Sequence, residues 1–405
     1  MPSIFSSNNL QKPTYSLLFA VCVAHLFNDL LQSVIPAIYP RLEDKYDLNM
    51  AQIGVITLCF QLSASIFQPV VGAYTDKHPK PYSQMIGMLF STAGMISLAY
   101  AANYEWILIS VILVGIGSSI FHPESSRVAY MSAGGRRSFA QAMFQIGGNT
   151  GAALAPLLIA WIVIPNGQQY ILWFAVVALC SQVILGYIGR WYSRHLKNLQ
   201  SKPKKAILLP DLSAARINWS VVILLLLIFS KYFYTASITS YFQFYTIDRF
   251  GLTEVQAQVY LFYFLIAVAV GSLVGGLLGD YVGRKYIIWF SVLGAAPFTL
   301  LLPYVDLFWT GVLIVIIGLI ISSAFAAILV FAQELLPRKL GMISGLFYGF
   351  AFGMGGLGSA FLGWWADQTS IDFIYHVCSY LPLMGIVAYF LPDMKKVTFR
   401  PLDGN

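Results

Sequence analysis

The sequence predicts an all-α membrane protein of twelve transmembrane helices arranged as two six-helix pseudo-repeats. Three observations carry this reading. Apolar runs of spanning length recur along the whole chain, Lys and Arg gather on alternate connections, and two short motifs return at one fixed offset. The composition agrees: 58% of the 405 residues are hydrophobic, only 10% are charged, and the mean hydropathy is +0.72. A soluble domain is about 25% charged, so there are too few charges here to coat a water-soluble surface of this size.

A bilayer core of about 30 Å needs roughly 20 apolar residues in a helix. Twelve runs meet that length, at 15–40, 52–75, 83–102, 106–127, 138–163, 170–191, 218–247, 256–279, 285–304, 308–333, 341–365 and 373–391. One connection, 192–217, is longer and polar and separates a six-helix bundle at 1–191 from a second at 218–405. Residues 1–11 are polar and the first apolar run is long enough to span, so no cleavable leader is expected. Cys22, Cys59, Cys180 and Cys378 lie far apart in apolar runs, with neither a metal-ligand spacing nor a disulfide framework.

The basic residues set the expected topology. With the N-terminus inside, nineteen of the 24 Lys and Arg fall on the inner side, including six in the long linker, and three (Arg41, Lys45 and Arg249) fall outside. By the positive-inside rule this bias places both termini in the cytoplasm. It also accounts for the net charge of +7 as topology and lipid contact, so a nucleic-acid partner is not expected.

The halves repeat. Gly72-Ala73-Tyr74-Thr75-Asp76-Lys77 ends the second run, and Gly276-Leu277-Leu278-Gly279-Asp280-Tyr281, followed by Gly283, Arg284 and Lys285, ends the eighth. Ser118-Ser119-Ile120-Phe121 returns as Ser322-Ser323-Ala324-Phe325 at the same offset of 204 residues. Internal repeats with a midplane site between them are the architecture of secondary transporters.

Four full charges lie well inside the runs: Asp29, Glu124, Arg127 and Lys231. A charge at the centre of a span costs at least about 2.5 kcal/mol on insertion scales, so such groups face a bundle interior or a wet cavity. His25, Asn28, Asp29 and Gln32 share one helix face, which makes His25 and Asp29 a candidate protonatable pair, or a structural hydrogen-bonded one. In the fourth run, Glu124 and Arg127 are spaced to pair. There, Arg127 is a candidate anion anchor, with Glu124 or His122 as proton carrier; an internal salt bridge is the competing reading. Pro123 removes the donor to the Ser119 carbonyl and predicts a kink. The corresponding residues of the tenth run are Ala326, Ala327 and Ile328, so the chemistry is asymmetric. Lys231 is expected to pair with Asp29, to meet an anionic ligand, or to snorkel to the interface. Tyr234 and Tyr241 are candidates for lining a cavity, and Gln141, Gln145 and Asn149 form a polar stripe that serves either substrate or packing.

These residues resemble the major facilitator superfamily. Gly276, Asp280, Gly283, Arg284 and Lys285 match its signature between spans 2 and 3, with Tyr281 in place of a base. Gly72, Asp76, Lys77 and Lys80 match in the first copy, where Pro79 and Pro81 depart from it. A closer similarity is to the fosmidomycin-resistance branch. It rests on His25-Leu26-Phe27-Asn28-Asp29, Gln61-Leu62-Ser63-Ala64-Ser65, Phe121-His122-Pro123-Glu124-Ser125-Ser126-Arg127 and Phe144-Gln145-Ile146-Gly147-Gly148-Asn149. The resemblance implies proton-driven efflux of small molecules, anionic phosphonate antibiotics among them. It makes Gly72, Asp76, Lys77, Gly276, Asp280, Gly283 and Arg284 gating elements.

The combined expectation is a monomeric transporter in the lipid of a bacterial inner membrane, driven by the proton gradient, with no cofactor and no metal. Asp29, Glu124, His25 and His122 would carry protons, and Arg127, Lys231, Gln61, Asn149, Tyr234 and Tyr241 would bind substrate. A proton-coupled importer or facilitator of an organic anion is the related alternative. A polytopic membrane enzyme is the alternative from another class. An ATP-driven pump is disfavoured because no Gly-Lys-Ser/Thr phosphate loop is present.

Overall fold

The computed structural model describes residues 14–38, 42, 45–48, 50–200, 208–252 and 254–401. Before the linker come α1 (Tyr15–Ala37), α2 (Met50–Lys77), α3 (Ser83–Ala99), α4 (Tyr104–Ser132), α5 (Arg137–Leu158) and α6 (Leu172–Gln200). After it come α7 (Ala214–Phe250), α8 (Glu254–Val282), α9 (Arg284–Leu293, resumed at Ala296–Leu301) and α10 (Leu307–Ser322, resumed at Phe325–Leu335). The last two are α11 (Leu340–Gln368) and α12 (Ile371–Cys378, resumed as the 3-10 segment Leu381–Phe390). Among the described residues, nine helical stretches are long and apolar enough to cross a membrane. The chain is an all-α integral membrane protein. The end bearing Lys77, Arg136, Arg137, Arg284 and Lys339 is called the basic end below.

The helix starts repeat as the motifs do. Asn103 caps α4 by accepting from the Trp106 amide at 3.0 Å, and Asp306 caps α10 by accepting from the Trp309 amide at 2.9 Å. In each case a side-chain oxygen satisfies an amide that the first helical turn leaves without a partner.

Three local features differ from the sequence reading. α4 is continuous through Pro123, and the break comes instead in α10, at 323–324. A proline removes only one backbone hydrogen bond, and neighbouring groups in a helix bundle can make up for it. α6 continues to Gln200 and α7 starts at Ala214, capped by Ser213, so the linker is shorter than expected. Its last part is held by pairing with the C-terminal segment: Leu208–Pro210 runs antiparallel to Phe399–Pro401, and Arg400 bridges Asp211 at 2.7 Å. The linker residues Lys202, Lys204 and Lys205, and the side chain of Asp280, lie outside the described residues.

Glycine sets how closely the two sets of helices approach at the basic end. A Cβ at Gly72 of α2 would collide with the Gly341 carbonyl of α11, and Gly345 and Gly349 lie against the carbonyls of Gln68 and Ser65. A Cβ at Gly276 of α8 would meet the Ala142 side chain of α5. Small residues at these crossings let backbones touch, as membrane helix packing requires. Gly353 and Gly355, further along α11, face open space instead. Contact between the sets is thus tight at the basic end and looser toward the other, where Gly356 approaches only the Gln61 side chain.

Candidate functional site

The cavity lies where that contact loosens. It has a volume of about 340 Å³ and takes Asp29, Gln32 and Pro36 from α1, Gln61 from α2, and Gln145 and Asn149 from α5. From the second set it takes Lys231, Tyr232, Thr235 and Thr239 of α7, Ser272 of α8 and Phe325 of α10. α1 and α7 both start at the basic end, and their lining residues run from about mid-helix onward. The cavity therefore occupies the side of the protein away from the basic end.

On the first wall, three titratable groups converge. Asp29 lies 3.1 Å from His25 Nε2 through Oδ2 and 3.4 Å from His122 Nε2 through Oδ1. The two Nε2 atoms are 3.3 Å apart. Asp29 Oδ1 also accepts from Asn28 at 3.0 Å and Gln32 at 2.9 Å. Both imidazoles are fully buried, whereas the Asp29 side chain is 16% exposed.

Hydrogen-bond direction says what this cluster holds. The Phe144 carbonyl lies 2.6 Å from His25 Nδ1, and a carbonyl only accepts, so Nδ1 carries hydrogen. A neutral His25 would then turn a bare Nε2 lone pair toward Asp29 Oδ2. At 3.1 Å that contact requires a proton on one atom or the other. The His25–Asp29 contact thus sets a ring nitrogen against a carboxylate oxygen at hydrogen-bond distance. It lies against Gly148, where any side chain would strike both Asp29 Oδ2 and the His25 ring.

The opposite wall carries Lys231, which is 5% exposed, sits 5.5 Å from the centre of the Phe325 ring and 5.7 Å from that of Tyr232, and makes no ion pair among the described residues. It neither snorkels nor bridges to Asp29. A buried amine without a carboxylate partner is placed to take up an anionic group entering the cavity.

Glu124 and Arg127 belong to another place. Arg127, expected as an anion anchor, does not line the cavity. Its Nη1 donates to Glu124 at 2.5 Å and its Nη2 to Asp76 at 2.7 Å, beneath the Gly72–Gly341 crossing. Asp76 also accepts from the Gly341 and Met342 amides, each at 2.9 Å, at the start of α11. A carboxylate on a helix N-terminus is stabilised by the helix dipole, and here it ties α2 to α11. Glu124 is fully buried in this network, away from the cavity.

A second tie crosses the same end. Glu334 of α10 accepts from Arg137 at 2.8 Å and from Arg284 at 2.9 Å. Gly283, at a φ of 112°, lets the chain turn directly into α9 before Arg284, and Tyr281 accepts from Arg136 at 2.8 Å. Glu334→Gln is expected to loosen this end. Arg137 is part-exposed, so the loss is about 1 kcal/mol, a roughly fivefold shift in the closed population. Accessibility of a single cysteine placed near Ser138, read by a maleimide, checks it.

Tyr234 and Tyr241, expected to line the cavity, do not. Tyr234 is buried among Ile238, Phe242 and Tyr375, and the Tyr241 hydroxyl donates to the Ser359 carbonyl. The cavity face of α7 is set by Lys231, Thr235 and Thr239, four residues apart, and the two tyrosines share a different face. Tyr232 takes their place. Gln61, Asn149, Lys231 and Asp29 do line the cavity. Lys77 is exposed at the end of α2. The sequence reading did not single out Glu334. Its signal was an acid at the basic end of an otherwise apolar run.

Comparison with known proteins agrees with this architecture. The family model described as Major Facilitator Superfamily matches residues 21–359. The fosmidomycin resistance protein of Escherichia coli (strain K12) is 54% identical over 388 residues, covering 96% of this chain and 95% of that protein. An uncharacterized MFS-type transporter of Bacillus subtilis (strain 168) is 39% identical, covering 96% of each. The crystal structure of the human organic anion transporter MFSD10 shares the fold, with a TM-score of 0.76 at 15% identity, covering 94% of this chain and 100% of that one. The chain therefore belongs to the major facilitator superfamily, in the branch of the fosmidomycin resistance protein, and is a membrane transporter rather than an enzyme.

Proposed function

We propose that the protein exports a small anionic drug of the fosmidomycin type in exchange for protons. The observation that carries this is a pair of opposed walls in one cavity: the His25–Asp29 contact at 3.1 Å on one, and on the other the buried amine of Lys231, which has no ion-pair partner among the described residues. The likeness to the fosmidomycin resistance protein supports the substrate class.

The mechanism is alternating access. The bias of basic residues supports both termini in the cytoplasm of a bacterial cell. The basic end is then the cytoplasmic gate, and the structure is the outward-facing state. Asp76 on α11, the Arg127–Glu124 pair beneath it and Glu334 between Arg137 and Arg284 hold that gate shut. A proton enters the cavity and binds between Asp29 and His25. The halves then rock, the cytoplasmic ties part, and the proton leaves to the inside. An anionic drug binds from the cytoplasm on Lys231, with Gln61 and Asn149 as hydrogen-bonding partners. Export follows because drug and proton each alter the other's affinity.

The test is drug-driven proton flux in proteoliposomes, with fosmidomycin as probe. Wild type should move protons against the drug gradient. Lys231→Met, which keeps bulk and removes charge, should raise the KM for the anion about tenfold or more, the scale of a lost charge-assisted contact. An unchanged KM would discard Lys231 as the anion anchor. In cells, an uncoupler should raise drug accumulation; a fall would mark import instead.

A further inference from the structure

We propose that His25, Asp29 and His122 also bind a single transition-metal dication of the zinc class, on the cavity side of the cluster. The sequence reading expected no metal site, because His122 and Glu124 lack a metal-ligand spacing with other His or Cys, and His25 and His122 are 97 residues apart. Folding brings them together. One ligand-capable atom from each of the three residues falls within 4.8 Å of the others.

The three side chains stand close enough to share one ion. Zinc holds imidazole nitrogen at about 2.0–2.1 Å in tetrahedral geometry, which sets neighbouring ligand atoms about 3.3 Å apart. The two Nε2 atoms are 3.3 Å apart, and one oxygen of Asp29 approaches each ring, Oδ2 at 3.1 Å from His25 and Oδ1 at 3.4 Å from His122, so an ion beside the carboxylate is within reach of both imidazoles.

The surroundings also match. A metal-binding histidine generally donates its other ring nitrogen to a carbonyl or carboxylate, which fixes the ring and frees the ligating lone pair. His25 Nδ1 meets the Phe144 carbonyl at 2.6 Å, and His122 Nδ1 meets the Ser118 carbonyl at 3.1 Å. Both Nε2 atoms are thereby aimed at the carboxylate. Gly148 leaves the space beside Asp29 Oδ2 and His25 Nε2 that a Cβ would fill. Asp29 opens into the cavity, so a fourth position is accessible to water. Two imidazoles and one carboxylate favour zinc, nickel or copper over magnesium or calcium.

This inference stands on the cluster's geometry and does not require the export reading to hold.

The experiment uses the full chain, purified in detergent with a tag free of histidine. Cobalt and zinc are titrated by visible absorption and calorimetry. Wild type should bind one equivalent and show the intense visible bands of four-coordinate cobalt, with zinc displacing cobalt and magnesium not doing so. His122→Gln and His25→Gln should each weaken binding about tenfold or more, while His78→Asn and His195→Asn leave it unchanged. Monodisperse elution and an unchanged helical circular dichroism spectrum confirm that each variant is folded. Failure of folded wild type to bind an equivalent of zinc would overturn the proposal, as would full affinity in both cluster variants. Fosmidomycin-driven proton flux measured in chelator-treated buffer reports on the export reading separately.

Discussion

Asn in place of Asp29 is expected to reduce drug-driven proton flux to the level of protein-free vesicles while leaving insertion and folding intact. The amide matches the carboxylate in shape. Its oxygen can still accept from Asn28 and Gln32, and its nitrogen can donate to His25 Nε2 where the carboxylate needed a proton. The hydrogen bond survives but the exchangeable proton between the two groups does not. The variant should still carry drug down its own gradient, because Lys231, Gln61 and Asn149 are untouched. Parallel assays of proton movement and drug movement separate the two effects. Proton flux at the wild-type rate in this variant would remove Asp29 from the coupling site.

Gly72→Val should abolish export by a different route. Even a methyl group at this position overlaps the Gly341 carbonyl, and valine adds two more carbons. The neighbour is backbone, which cannot rotate away, so α2 and α11 must separate. Overpacking of this kind costs about 1–3 kcal/mol where a core must absorb it. Here the cost falls only on the state in which the basic end is shut. Separation would also draw Asp76 away from the Gly341 and Met342 amides. The expected result is a protein present in the membrane at normal amount, inactive in export, and labelled faster by a maleimide at a cysteine placed near the basic end. Normal export would show that α2 and α11 need not touch. Inactivity with unchanged labelling would show that the substitution acts elsewhere.

Much of the frame was legible before the structure. Spanning runs and alternating basic connections follow from the hydrocarbon thickness of a bilayer, which leaves little choice of element length. Asp29 could be placed because ionisable groups at midspan need a wet or polar partner, and His25, one turn away, provided one. The companion of His122 was misjudged, although helix geometry held the correction. Two residues along a helix turn the chain by about 200°, so His122 and Glu124 cannot serve one site, whereas Glu124 and Arg127 can. What no local rule could supply was that His122 meets His25, because that contact depends on how α4 packs across α1. The same limit hid the destination of Arg127. Its charge was evident, but the pairing with Asp76 requires knowing that the ends of α2 and α4 lie side by side. Tyr234 and Tyr241 illustrate a third limit: the polar residues of α7 point several ways, and only the packed neighbours show which face is wet.

The two walls of the cavity come from different halves of the chain. His25, Asp29 and His122 precede the linker, and Lys231 with Thr235, Ser272 and Phe325 come after it. Under the proposed mechanism, the proton position is therefore encoded before the linker and the amine that meets the anion after it, while Gln61 and Asn149 add first-half contacts to the cargo. A lineage can retune which compounds it expels by changing α7, α8 and α10, and its power source is left untouched. Under that mechanism, recombination between relatives at the linker would exchange one wall of the cavity in a single step.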